Sequence, residues 1–441
     1  MEGSCKMKRR LLMFTLVICS FFIAGVVSAD EDILLQQLIE ETPTGGILEL
    51  EDKTYTGNIA ISKPITIIGK EGTSIEGGGT GNVIEIRSDG VTLDTLAISG
   101  SGMSRSSQEE HSGVRVMAND AILTNLTITN SFHGIFLNKS KNTRMSNITV
   151  VGHGANQLGT QGNGIHIMRS SENYIDNSYL EKTRDGIYVE YSHNNFIDNN
   201  TMTDTRYGLH YMYSNYNSFK ENNFIKNVGG AAIMHSDHIH LEDNKFSFNQ
   251  GSRSFGLLIQ TSRDIHVLNN EFHLNQRGLY LEQSTSNRIE GNDFFQNEIG
   301  IELWTSSTSH VFIKNHFNKN KVHALTVGGE SNNDWFENGV GNYWNMPLLD
   351  LNQDGIGDDP LEYSSSLSEL VEENELAYLF LASPAITIYE KANDLLTQHK
   401  VMAFDKYPIM SERKPINVAS VGVGIILAGV GVYVYRRRAL R

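Results

Sequence analysis

The sequence predicts an all-β chain wound as a right-handed parallel β-helix, with coils of about 22 residues, helical caps and a C-terminal transmembrane helix. Three observations carry this. A Gly-led pentapeptide recurs from Gly113-Val-Arg-Val-Met117 through Gly134, Gly164, Gly186, Gly208, Gly230, Gly256, Gly278 and Gly300 to Ala324-Leu-Thr-Val-Gly328, at spacings of 21, 30, 22, 22, 22, 26, 22, 22 and 24. An Asn follows each of these positions but the last by 12 to 15 residues: Asn125, Asn147, Asn177, Asn199, Asn222, Asn244, Asn270, Asn292 and Asn315. The 441 residues include 40 Gly but only 7 Pro, which suits many tight turns and not long helices. A unit this short cannot close a core alone. Stacked, each strand pairs with its copy in the next coil, and Asn amides can stack into a ladder. Leucine-rich repeats lack support because their Leu framework is absent, and propellers need periods nearer 40.

The ends read differently from the body. Residues 1–29 have a basic start (Lys6, Lys8, Arg9, Arg10), an apolar run Leu11–Val27 and a small-residue site before Asp30, as in a secretory signal peptide. Ile18 before Cys19 is too large for a lipoprotein signal. Residues 30–46 form the N-terminal cap, where Asp32–Glu41 has helical spacing. Coils occupy 47–340, beginning with the alternating runs Ile59-Ala-Ile61 and Ile65-Thr-Ile67. Gly152–Gly162 lengthens one coil and is a candidate contact loop. Residues 341–415 hold an acidic loop, a helical segment over 367–398 that would cap the last coil or dock a partner, and a linker. Residues 416–435 are uncharged over a bilayer-spanning length, and the arginines of 436–441 hold that end in the cytoplasm. The body is therefore expected outside the cell membrane, tethered by a single C-terminal span.

Charge and cysteine usage exclude several functions. The whole chain has 36 basic and 51 acidic residues, a net −15. Segment 30–415 keeps 28 and 50 of these, about −22, which argues against a sequence-independent grip on nucleic acid. Both cysteines, Cys5 and Cys19, lie in the signal. Disulfides, thiolate ligands and Cys nucleophiles are then absent from the mature chain.

Strand alternation sorts the pentapeptide into faces. With Gly as position zero, positions one and three are apolar and point inward, so two and four point outward. Position four carries Met117, Met168, Met212 and Met234, four of ten mature methionines, and position two carries His166 and His210. One reading is an apolar patch covered by the C-terminal segment or a partner. The other is a soft-metal surface, because thioether and imidazole select Cu(I) when thiolate is absent. In that reading His210, Met212 and Met234 share one ion, His235 follows Met234, and His166 with Met168 form a second station two coils away.

Asp350, Asn352, Asp354, Gly355 and Asp358 match positions 1, 3, 5, 6 and 9 of a calcium loop, but Leu361 stands where the bidentate Glu belongs. The alternative is an Asx-rich turn. Glu282 and Glu302 on adjacent coils suit a two-carboxylate glycan mechanism, which keeps a carbohydrate-binding or polysaccharide-cleaving β-helix as the rival function. Arg184 and Arg206, beside Asp185 and Asp204, read equally as turn salt bridges.

The strings Gly164-Ile-His-Ile-Met168, Arg184-Asp-Gly-Ile-Tyr188, Arg206-Tyr-Gly-Leu-His-Tyr-Met212 and Gly341-Asn-Tyr-Trp344 resemble the NosD family, and the likeness extends over most of the mature chain. The resemblance implies an accessory factor rather than an enzyme. It would partner an ABC transporter (ATPase and membrane subunits) and a copper chaperone lipoprotein in building the copper-sulfur centre of nitrous oxide reductase. Copper handling then falls on His166, Met168, His210, Met212 and Met234. The C-terminal span departs from the soluble periplasmic pattern and would hold the β-helix beside its transporter.

Overall fold

In the computed structural model the described residues are 34–410, less 104–109, 155–159, 252, 330–331, 368–369, 371–376, 378–379, 381–382 and 394–399. The expected signal peptide and the span 416–435 lie outside them, as does the tip of the Gly152–Gly162 insertion. Among the described residues no helix is long and apolar enough to cross a membrane.

The chain winds as a right-handed parallel β-solenoid of about 12 turns. The Gly-led strands form one 12-stranded parallel sheet running from Ile59–Ile61 to Val322–Val327. The remaining two strands of each coil build a 22-stranded sheet. Positions one and three enter a continuous interior: Ile187, Val189, Leu209, Tyr211, Ala231 and Ile233 are all buried there. A file of rings fills it lengthwise, with Phe224, Phe246, Phe272 and Phe294 stacked at 4.8 Å, then Phe317 at 5.1 Å and Trp344 at 4.7 Å. That interval is the strand spacing itself.

The Gly column is steric. A Cβ on Gly208 would stand 2.6 Å from the Gly230 carbonyl oxygen and 2.6 Å from Phe224 Cδ1, so the bend into the sheet admits no side chain.

Asparagine occupies more than one column. Asn222, Asn244, Asn270, Asn292 and Asn315 belong to a buried ladder from Asn200 to Asn342, in which each Oδ1 accepts the backbone N–H of the rung before it at 2.8–3.1 Å. Asn125, Asn147, Asn177 and Asn199 sit one position earlier, on the surface, in left-handed backbone with φ of 51–54°. A second buried ladder runs Asn227–Asn249–Asn275–Asn297–Asn320, and a serine ladder runs from Ser140 to Ser262. These side chains satisfy turn N–H groups that the sheets leave unpaired.

The last repeat differs from the sequence alignment by one residue. Ala324 pairs with Ile301, Leu325 with Glu302 and Val327 with Trp304, so His323 takes the Gly position and Thr326 faces inward. The final coil continues through bridges at Asp334 and Tyr343 to Trp344.

The N-terminal helix is Leu35–Glu41, with Leu35 and Ile39 buried against the first coil. Gln36 extends the edge of the 12-stranded sheet: its Nε2 donates to the Ala60 oxygen and its Oε1 accepts the Ala60 N–H. At the other end an antiparallel pair, Leu361–Ser364 with Val401–Asp405, packs on the core. Asp405 is fully buried and accepts from Asn342 N–H and Trp344 Nε1 at 2.7 and 2.8 Å. The helix Pro384–Asn393 instead lays Ile386 against Ile299, Leu325 and Val327, on the outward face of the last coils.

Candidate metal centre

The outward face of the 12-stranded sheet is not uniformly solvated. Position two is largely buried, including Phe136, His166, His210, Ala232, Leu258 and Glu302. Position four is half-exposed from Asn138 to Glu282, and only Met117 and Trp304 pass a third exposure. Strand register settles the neighbours. Position four reads Met168, Glu190, Met212, Met234, Gln260, Glu282 in single file. Met212 and Met234 are thus paired directly across adjacent strands. Met234 also leans on an outward apolar cluster of Ala232, Phe255 and Leu258.

His210 lies in the neighbouring file, His166–Tyr188–His210, with ring centroids 4.8 Å apart at each step. Its Nδ1 is 3.2 Å from Asp185 Oδ2. Arg206 grips that carboxylate with two bonds, 2.8 Å from Nε and 2.5 Å from Nη2, so the pairing expected of a turn salt bridge is present here. Burial opposes the charge on Asp185, but His210 and Arg206 outweigh it and lower the pKa to about 2. Arg206 Nη2 is also 3.5 Å from His210 Nδ1, the longer contact, so the carboxylate sets the tautomer. With the proton on Nδ1, Nε2 carries the lone pair. That atom is buried and has no hydrogen-bond partner among the described residues. A carboxylate behind a histidine whose other nitrogen is open is the second-shell arrangement of histidine metal ligands. His210 is two residues from Met212 on one strand, about 7 Å along it. The residues therefore fit a soft cation held by one imidazole and two thioethers.

His166 has a different setting. Nδ1 lies 2.9 Å from Glu110 Oε2, and Nε2 lies 3.8 Å from Glu190 Oε2. Burial opposes charge on His166, yet Glu110 and Glu190 together raise its pKa. His133 Nε2 is 3.3 Å from the same Glu110 oxygen, and these three side chains form a compact group of potential ligands. The Asn163 N–H donates to His133 Nδ1 at 2.8 Å, however. The remaining proton of a neutral His133 is then on Nε2, 3.3 Å from Glu110 Oε2, which leaves that nitrogen no lone pair for an ion. Burial lowers its pKa, consistent with the neutral form.

His235 does not join this set. It stands just past its strand with φ of 48°, its ring stacked 4.9 Å from Tyr213, which stacks in turn on Tyr191. Glu282 is hydrogen-bonded to Gln260 at 2.8 Å, and buried Glu302 lies 3.6 Å from Arg277. In the acidic loop Asp350 accepts from the N–H groups of Asp354 and Gly355, Asp354 from Ile356, and Asp358 from Leu351. Asn352 bonds Asp354 on the exposed side of the same loop.

Sequence reasoning passed over Glu110 and His133, and read Asp185 only as a turn salt-bridge partner. The signal was present one residue before the Gly column, which reads Ser112, His133, Asn163, Asp185, Tyr207, Gly229, Phe255, Arg277. The bend at Gly turns this position outward beside position two of the next coil, as the Asp185–His210 contact shows.

Residues 151–348 match the family model described as periplasmic copper-binding protein (NosD). A probable ABC transporter binding protein NosD from Pseudomonas aeruginosa is 33% identical over 350 residues, 76% of this chain and 81% of that protein. Among solved structures, the A-module of an Azotobacter vinelandii mannuronan C-5 epimerase superposes with a TM-score of 0.56 at 10% identity, covering 69% of this chain and 92% of the other. The Dettilon tailspike protein gives 0.51 at 14% identity, covering 64% and 61%. At such identities these two share the fold alone. The identity and coverage of the Pseudomonas relative place this chain in the NosD family of periplasmic copper-binding proteins.

Proposed function

We propose that the chain is an extracytoplasmic accessory factor in nitrous oxide reductase maturation. It receives copper as cargo from a chaperone lipoprotein, stands beside an ABC transporter through its 416–435 span, and passes the ion toward the enzyme's copper-sulfur centre. The observation that carries this reading is the direct pairing of Met212 with Met234 beside a histidine whose buried Nε2 is open. One imidazole and two thioethers form a set for Cu(I), the ion that soft ligands select. His235 drops out of the set, and His210, Met212 and Met234 remain.

The test is anaerobic Cu(I) titration of the full chain against a competing chelator. Wild type is compared with the Met212→Leu/Met234→Leu double variant. Loss of one tight equivalent in the variant is expected; equal binding would reduce the methionine pair to packing. Calcium is proposed for Asp350, Asn352, Asp354 and Asp358, whose hydrogen bonds already curl the loop around its own carboxylates.

A further inference from the structure

We propose that the same face carries a second, harder copper site built from His166 Nε2, the Glu190 carboxylate and the Met168 thioether, and that this site takes Cu2+. The proposal rests on the copper-handling reading above. It adds a ligand and an oxidation state that the methionine pair does not supply.

The two histidines are built alike. His166 and His210 both occupy position two, both are buried, and both are followed two residues later by a methionine. Each has Nδ1 facing a carboxylate, Glu110 at 2.9 Å for one and Asp185 at 3.2 Å for the other. Each has a buried Nε2 without a hydrogen-bond partner among the described residues, where His210 Nδ1 is hydrogen-bonded to Asp185 and His166 Nδ1 is itself unpartnered. The acids come from different places, the segment before the third strand of the sheet and the start of a neighbouring strand. The chain thus presents an acid–His–x–Met unit twice, two coils apart.

The surroundings of the two Nε2 atoms differ. His210 Nε2 has the thioether pair on its strand and the next. His166 Nε2 has Glu190 Oε2 at 3.8 Å. That gap is too long for a hydrogen bond. It suits a cation bonded to both atoms at about 2 Å each. Register sets Met168 directly beside Glu190, so the thioether borders the same gap. Glu190 is flanked on its other side by Met212, which puts the carboxylate between the two stations. A carboxylate oxygen favours Cu2+ over Cu(I), whereas two thioethers do the reverse. Glu110, 2.9 Å from His166 Nδ1 and 3.3 Å from His133 Nε2, stands behind His166 as a positioning residue and does not touch the ion.

The experiment uses the full chain and two probes separately, Cu2+ in air and Cu(I) under anaerobic conditions. Wild type should bind Cu2+ with an electron paramagnetic resonance spectrum showing one imidazole nitrogen. His166→Gln should abolish that signal, and Glu190→Gln should weaken Cu2+ binding at least tenfold. Glu110→Gln, which leaves the ligands in place, should weaken it by about 10- to 100-fold. Far-ultraviolet circular dichroism confirms that each variant is folded, and Glu190→Gln, on the half-exposed file, is the arm least able to disturb the core. Met212→Leu/Met234→Leu should leave the Cu2+ signal untouched. An unchanged Cu2+ affinity and spectrum in Glu190→Gln, or in His166→Gln, overturns the proposal. If Cu2+ is lost in His166→Gln while Cu(I) binding ignores the methionine pair, this site stands and the earlier reading fails. The opposite pattern retains the Cu(I) site and rejects this one.

Discussion

His310 offers a sharp test of the ladder energetics. It stands in a column that it shares with Asn173, Asn195, Asn217, Asn287 and Asn333: Asn287 donates its N–H to His310 Nδ1 at 3.1 Å, and the His310 N–H goes to Asn333 Oδ1 at 2.9 Å. The side chain is completely buried, and burial lowers its pKa from 6.5 to about 4. A histidine held neutral in the fold gives its full stability above pH 6.5. The unfolded chain takes up the proton first as pH falls, so stability drops between about 6.5 and 4. Converted to free energy, the loss from pH 7 to pH 4 is about 3 kcal/mol from this residue. His310→Asn keeps an acceptor for the Asn287 N–H and removes the titration. The smaller side chain adds an offset that does not vary with pH. Urea unfolding of both proteins at pH 7 and pH 4 isolates the effect, because all other acid-sensitive groups cancel in the difference of differences. The variant should lose about 3 kcal/mol less than wild type over this interval. Parallel losses would refute the claim that the rung holds the imidazole uncharged.

The two asparagine columns should respond differently to alanine. Asn244→Ala strands the buried Asn222 N–H and two carbonyls, and should cost about 3 to 5 kcal/mol in urea unfolding. Asn199→Ala, on the surface in left-handed backbone, should cost about 1 kcal/mol. Gly208→Ala drives a Cβ into a backbone oxygen and a core ring, and should lower the melting temperature sharply or block folding. In the acidic loop, Asp354→Ala should lower the melting temperature when Ca2+ is present and not in chelator. An equal loss in both would mean that Asp354 serves the turn alone, through its bond to the Ile356 N–H.

The sequence exposed the winding more readily than the face. Gly and Asn repeat because each coil meets the same steric and hydrogen-bonding demand, and such demands are written at fixed intervals. The interval blurred wherever two columns lie one residue apart, as with Asn199 and Asn200, since a count of 12 to 15 residues covers both. It also slipped at His323, where a ring replaces Gly at the bend. Alternation identified Met212, Met234, His210 and His166 as outward. It could not show that position two is buried, because the covering groups come from other coils and from the C-terminal segment. Asp185 reaches His210 from 25 residues away in sequence, and Glu110 reaches His166 from 56. Partners joined only by folding leave no local pattern to read.

The in-register stacking has a consequence for how distance is encoded. Every column advances by one strand spacing per coil, about 4.8 Å, whatever residues the coil contains. The separation between the two acid–His–x–Met units is therefore counted in whole coils, like marks on a ruler. Excision of the 22 residues from Gly186 to Tyr207 would remove one mark and bring His166 beside His210, with every ladder rejoined in phase. A cut through the strands and turns of a coil would put the ladders out of phase there, although the coils of 26 and 30 residues keep them in phase with length added elsewhere. Such a chain changes length in steps, and the spacing of its metal-binding groups is inherited as an integer.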